Sequence, residues 1–479
     1  MTAEMIGLAV LLLGVVLLVA KLIRMRSGVA QKLFLPSSII GGAIALILSG
    51  EVLGQIVTAL ADEEAFLAGG LFPEEVTEVW AELPGLLISI VFATLFLGHR
   101  IPRPKEAAQL GGPQLALGVT MGAGQYVLGL LLALLVLTPV FGLSPMAGAL
   151  IEIGFEGGHG TAAGLGDTFA DLGFPEGQDL ALGLATIGVV SGVIVGIALI
   201  NWGVRTNRTG LLEEAAQASL AEQRGIFERE NREAAAHMTV RPSSIEPLAI
   251  HFAIVAVAVL VGQMLLSGLQ ALEQALWIDR VELFEHVPLF PLAMLGGVLV
   301  QLVIQRVDNE RVVDRLMMIR IQGLALDLLI VSALATLSLQ VIAANIVPFL
   351  LLGLVGISWN VGVFMFLAMR MIPQYWFERG IADLGQSLGV TATGLVLLRV
   401  ADPNGETPAL EAFGYKQLGF EPFLGGGLIT ATSVPLIAQF GPVPLLLAMT
   451  VLLAVALAVG LLYFGRQTPE DEQRAIGGA

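Results

Sequence analysis

The chain has 479 residues, 56% of them apolar and 13% charged, with no cysteine and a formal net charge of −16. Soluble globular proteins carry about 25% charged residues, so a water-soluble fold is excluded. Disulfide frameworks and thiol chemistry are excluded too, and the acidic balance leaves nucleic acid without an electrostatic attraction.

The first apolar run, 5–20, precedes its bases Lys21, Arg24 and Arg26, the reverse of a secretory signal, and reads as a retained anchor. Further runs at 86–97, 115–137, 180–200, 248–266 and 445–464 approach the roughly 20 residues that cross a bilayer as helix. The pattern predicts five full spans in 1–203, a polar linker at 204–246, and six spans after it, the last an extra one within 439–479. Two Gly-rich stretches, 148–168 and 380–400, are left over as re-entrant loops. The expected fold is thus an all-α integral membrane protein of about eleven transmembrane helices, its second repeat at 247–438.

Basic residues favour the cytoplasmic side of short loops. Lys21, Arg24, Arg26 and Lys32, then Arg100, Arg103 and Lys105, mark two inner loops, and Arg306, Arg311, Arg315 and Arg320 another. The linker carries Arg205, Arg208, Arg224, Arg229, Arg232 and Arg241. The loop holding Asp62, Glu63, Glu64, Glu74, Glu75, Glu78 and Glu82, and that at 273–286 with Arg280 as its one base, are then external. The N-terminus is expected outside, with linker and C-terminus cytoplasmic.

Three short patterns recur in the same order in both halves. Pro36-x-x-x-x-Gly41-Gly42 matches Pro291-x-x-x-x-Gly296-Gly297, Ala93-Thr94-Leu95-x-Leu97 matches Ala335-Thr336-Leu337-x-Leu339, and Thr161-Ala162-x-Gly164-Leu165 matches Thr391-Ala392-x-Gly394-Leu395. An odd number of spans per half makes the copies inverted. The paired glycines read as helix contacts, where small residues let backbones approach.

The segment Glu152-Ile153-Gly154-Phe155-Glu156-Gly157-Gly158-His159-Gly160-Thr161 puts glycines and ionisable groups into an apolar region. Irregular backbone at membrane depth is tolerated where protein buries it or where it lines a cavity, and ionisable groups there read as functional. Broken helices offer free N–H groups to a carboxylate and free carbonyls to a cation. The counterpart runs from Asp383 through Gly385, Gln386, Ser387, Gly389, Thr391 and Thr393 to Gly394. These residue types suit an ion-coupled carrier of small anions.

On these residues the chain resembles the sodium/glutamate symporter family of bacteria. Gly157-Gly158-His159-Gly160-Thr161 is similar to that family's first re-entrant loop, Tyr375 to Thr393 to the second, and Gln125-x-x-x-Gly129 to the span before the first; the resemblance covers about 39–433. The chain departs from the family pattern at Gly394, where a proline is expected, at Gln386-Ser387, where glycines are expected, and in its added C-terminal span. The resemblance implies Na⁺-driven uptake of L-glutamate by alternating access, two inverted five-span repeats, and a homodimer in the bacterial plasma membrane. Na⁺ is the coupling ion and no other cofactor is expected. Another organic anion, such as a dicarboxylate, is the alternative substrate. The intramembrane-enzyme reading finds neither a His-Glu-x-x-His zinc motif nor a Gly-x-Ser-x-Gly elbow.

Substrate-binding candidates are Glu156, Gly157, Gly158, His159, Gly160, Gln386, Ser387 and Gly389. Thr161, Thr391 and Thr393 offer hard oxygens to Na⁺, with Asp383 as a further ion-binding candidate. Each has a bland alternative. His159 can bond its own loop, hydroxyls can bridge helices without any ligand, Asp383 can pair with Arg379, and Asp327 with Arg320. Glu152 reads as a packing or gating group and His251 as structural.

Overall fold

The computed structural model describes residues 2–32, 35–62, 65–99, 104–209, 234–276, 287–402 and 406–467, with isolated positions between 224 and 232 and at 284. Glu63, Glu64, Arg100, Arg103, Arg229, Arg280, most of the linker and the tail from 468 lie outside the described residues. Among those described, the only pairing of β type is an isolated bridge between Ser49 and Gly70. Helices dominate because a chain this apolar satisfies its backbone polar groups within each segment.

In chain order the helices used below are α1 (Ala3–Arg26), α2 (Ser37–Leu48), α3 (Glu74–Thr94), α4 (Pro104–Leu132), α5 (Leu150–Phe155), α6 (Gly158–Gly164) and α7 (Glu176–Arg205). After the linker come α8 (Pro247–Leu276), α9 (Leu289–Val307), α10 (Arg315–Ala335), α11 (Ile346–Val363), α12 (Trp376–Ala401), α13 (Ala409–Phe420), α14 (Leu428–Phe440) and α15 (Pro442–Ala458). Ten helices among the described residues are long and apolar enough to cross a membrane, rather than the eleven expected. The difference has local causes. The second apolar run breaks after Leu48 into a π-helical turn at Gly50–Gly54, and the run before α15 is only the short α14. The stretch 380–400, expected as a re-entrant loop, falls within α12, whose backbone is non-helical at Gly389 and Val390.

Helix ends carry their own signals. Thr2 Oγ1 accepts from the Met5 N–H at 3.3 Å, and Arg24 and Arg26 lie in the last turn of α1. Asp314 Oδ1 caps α10 by accepting from the Met317 N–H at 2.9 Å. The adjacent Arg315 guanidinium donates to the Thr94 and Leu97 carbonyls at 2.8 and 2.9 Å, satisfying the C-terminal end of α3. His251 joins α8 to that cap: Nε2 accepts from the Asp314 N–H at 2.8 Å while Nδ1 donates to the Pro247 carbonyl at 2.6 Å. Its role is structural.

Both Gly-Gly pairs are helix contacts. A Cβ on Gly41 would lie 3.2 Å from Val331 Cγ2, and one on Gly42 would overlap Leu334, so α2 lies directly on α10. Gly297 of α9 meets the Ala93 carbonyl of α3, and Gly296 the Ala258 carbonyl of α8. The principal apolar core runs through α3, α4, α5, α7, α11 and α12 and reaches α15. It encloses the two glycine segments.

Candidate functional site

Two helix interruptions face each other in the interior. The first separates α5 from α6. There the Glu156 and Gly157 amides both donate to the Glu152 carbonyl, at 3.0 and 2.9 Å, and Gly158 turns the chain with φ +69°. A left-handed conformation costs a residue with a side chain about 1–2 kcal/mol, which is why glycine stands there. The second interrupts α12 at Gly389 (φ −151°, ψ 43°) and Val390 (φ 60°, ψ 173°). Val390 thus adopts backbone angles that are otherwise almost confined to glycine, and such strain is found mainly at functional sites. A Cβ on Gly158 would run into Val390 Cγ1, so the two interruptions touch at this pair.

Side chains of neighbouring helices satisfy the broken backbone. The Ser387 carbonyl accepts from Gln125 Nε2 of α4 at 2.9 Å and from Asn360 Nδ2 of α11 at 2.8 Å. Gln125 Nε2 also donates to Glu156 Oε1 at 3.3 Å, tying the two interruptions together. Glu156 is only 2% exposed, yet its Oε2 has no hydrogen-bond partner among the described residues. Gln125 Oε1, Ser387 Oγ and Thr161 Oγ1 are buried in the same condition. Unpaired buried oxygens are costly; those of Glu156, Gln125 and Ser387, which Gln125 joins, have the chemistry of a hard-cation site, while Thr161 Oγ1 faces Gly426.

Glu152, one turn before Glu156, is saturated instead. Its Oε2 accepts from the Tyr126 hydroxyl at 2.6 Å, and its Oε1 from the Gly425 N–H at 2.9 Å and Thr430 Oγ1 at 2.7 Å. It anchors α5 to the turn between α13 and α14. His159 turns away from the second interruption, its Nε2 lying 3.0 Å from Thr186 Oγ1 of α7. Because the Thr186 hydroxyl donates to the Leu182 carbonyl at 3.1 Å, the imidazole donates to Thr186. Gly160 faces Ile88 of α3, and Gly157 faces the Ile153 carbonyl.

The candidates of the second segment are gathered by α13. Lys416 Nζ donates to Asp383 Oδ1 and Gln386 Oε1, both at 2.8 Å, and Gln417 Nε2 reaches the same Gln386 oxygen at 2.9 Å. On the far side of the interruption, Thr391 Oγ1 donates to Glu421 Oε1 at 2.8 Å. Thr393 places Cγ2 against Gly192 of α7, and Gly389 packs beside the Val189 backbone. Asp383 therefore pairs with Lys416 and not with Arg379, whose guanidinium donates to Gln114 Oε1 at 3.3 Å and the Leu110 carbonyl at 2.8 Å. Asp327 stays exposed on α10 and forms no ion pair with Arg320 among the described residues.

Sequence reasoning missed Lys416, Glu421 and Asn360. Asn360 was visible as a polar interruption of the apolar run of α11, and Lys416 and Glu421 as ionisable residues between apolar neighbours, which is the signal that singled out Glu156.

Both interruptions fall within the stretch of the chain that matches a known family. The family described as sodium/glutamate symporter matches residues 77–398, from within α3 to near the end of α12. No curated protein matches the chain. The match spans well over half of the sequence, and the chain belongs to the sodium/glutamate symporter family.

Proposed function

We infer that the protein takes up L-glutamate with Na⁺ by alternating access, its ligands held where the two interruptions meet. Family membership and ten helices of spanning length support a Na⁺-coupled membrane transporter. The observation that carries the finer reading is the contact of Gly158 with Val390, flanked by the unpartnered oxygens of Glu156, Ser387, Thr161 and Gln125. A cation among those oxygens relieves their desolvation, and a substrate ammonium on Glu156 does the same.

In this reading Na⁺ takes Thr161 with Glu156 and Ser387, while Gly157, Gly158 and Gly389 keep the backbone open to the substrate carboxylates. Gln386, Thr391 and Thr393 shape the second half of the site, and His159 braces the first against α7. Inverted repeats give the arrangement its symmetry. Gly42 of the first half lies on α10 of the second, and Gly297 of the second half on α3 of the first, which is the exchange that an inverted duplication produces.

The test is transport by purified protein in proteoliposomes under an imposed inward Na⁺ gradient, with L-glutamate, aspartate and simple dicarboxylates as substrates. L-Glutamate should accumulate against its gradient, and each ligand should tighten binding of the other. Equal accumulation with K⁺ or choline in place of Na⁺ would overturn the coupling, and preference for a substrate without an amino group would overturn the role of Glu156.

A further inference from the structure

We propose that Lys416 is a tethered cation, filling with covalently attached charge a position beside the transport site that a free Na⁺ would otherwise take. The proposal rests on the Na⁺-coupled reading above and adds to it the number of ions used. Lys416 lies beyond the residues that the family comparison matches.

The environment of Nζ is that of a cation site. Carboxylate Oδ1 of Asp383 and amide Oε1 of Gln386 each stand 2.8 Å from it, and the ring of Phe420 covers it with its centroid 4.4 Å away. Oxygen ligands of this kind are what hard monovalent and divalent cations select. The lysine is itself 1% exposed, so neither water nor a substrate carboxylate reaches the ammonium from outside. Room for it depends on Gly118 of α4, where a Cβ would lie 2.5 Å from Lys416 Cε.

Arg379, the other base near Asp383 in sequence, is turned toward Gln114 and the Leu110 carbonyl. The cation that contacts the Asp383 carboxylate is therefore Lys416, and a buried carboxylate deprived of its partner is strongly destabilising. Asp383 also lies one turn ahead of Ser387, whose carbonyl and hydroxyl belong to the site. Asp383 Oδ2 has no hydrogen-bond partner among the described residues, but while the lysine holds Oδ1 and Gln386 Oε1 its ammonium fills the place beside the carboxylate, and the carrier turns over with one coupling cation fewer than its oxygen ligands could hold.

Truncating the lysine should convert the position into a Na⁺ site. In detergent, Lys416→Ala should melt well below the parent in choline and recover on adding Na⁺ by more than the parent does. Lys416→Ala combined with Asp383→Asn should respond to Na⁺ as the parent does, because the carboxylate that attracts the extra ion is gone. In proteoliposomes the Hill coefficient for Na⁺ should rise by about one in Lys416→Ala, since each further bound ion adds its own linkage to substrate binding. A lysine that only braces α13 predicts lower stability without any change in Na⁺ response, so equal Na⁺ shifts in parent and Lys416→Ala overturn the proposal. It is also overturned if Lys416→Ala cannot be recovered in Na⁺ while the double variant can. Should neither fold, Asp383→Asn alone decides: a lower Na⁺ Hill coefficient would make Asp383 a Na⁺ ligand in the parent and sink the idea, whereas an unaltered one supports it. Parent transport without Na⁺ dependence would overturn the coupling of the previous subsection instead, and the melting comparison would still judge the lysine.

Discussion

Glu152 and Glu156 are the same side chain one helical turn apart, and their surroundings give them opposite tasks. Glu152 accepts three hydrogen bonds, so Glu152→Gln replaces one of its two accepting oxygens with an amide donor and removes the charge that all three partners address. The expected cost is about 1–3 kcal/mol of stability, read as a lower melting temperature with Na⁺ affinity retained. Glu156→Gln removes a charge whose Oε2 has no partner among the described residues, and should raise the Na⁺ concentration for half-maximal uptake by about tenfold, equivalent to ~1.4 kcal/mol. If the two variants exchange these phenotypes, the division between anchor and site is wrong. Gly158 and Val390 form a second pair of linked residues. Gly158→Ala should depress transport through both its positive φ and its collision with Val390, while Val390→Gly should relieve strain of about 1–3 kcal/mol and raise the melting temperature. Combining them should restore part of the transport lost in Gly158→Ala. A strictly additive double-mutant cycle would show that the two interruptions do not communicate through this contact.

Among the elements, α13 and the turn into α14 act as a clamp on both interruptions. Lys416, Gln417 and Glu421 hold the two sides of the break in α12, through Asp383 and Gln386 before it and Thr391 after it. Gly425 and Thr430 hold Glu152 ahead of the first break. A helix broken at a strained residue needs such external bonds, because its own ladder no longer connects the halves. Thr391→Val preserves shape but removes the donor to Glu421, leaving that oxygen with Gln386 Nε2 at 3.4 Å. The variant should require several-fold more Na⁺ for half-maximal uptake and melt at a lower temperature. Unchanged Na⁺ dependence would confine Thr391 to packing.

At the scale of the whole molecule, apolar side chains such as Leu11, Leu18, Leu260, Met264, Leu447 and Val451 stand exposed on α1, α8 and α15, as expected of surfaces that meet lipid. The orientation inferred from basic loops is open to direct test, since the chain has no cysteine to give background labelling. A single cysteine in place of Glu75, at the start of α3, should react with an impermeant thiol reagent added outside intact cells. One in place of Arg241, just before α8, should react only after permeabilisation. The reverse pattern would invert the topology while leaving the fold intact.

Sequence alone determined the class of the molecule, the position of both interruptions and the family. Each is a local property: apolar runs long enough to span, glycines where ordinary side chains do not fit, and a motif at Gly157–Thr161. It also read the Gly-Gly pairs correctly as helix contacts, and it expected about eleven spans where ten helices among the described residues reach spanning length, since a π-helical turn after Leu48 divides one apolar run. Tertiary structure decided the electrostatics. Asp383 reads from sequence as an ion-binding candidate, with Arg379 one helical turn earlier as its alternative partner, yet the ion pair is made by Lys416, 33 residues further on. Which of two glutamates is saturated and which keeps one oxygen without a partner among the described residues was equally out of reach. In a buried site an ionisable group's role depends on the donors brought to it by helices remote in sequence, and only packing selects those.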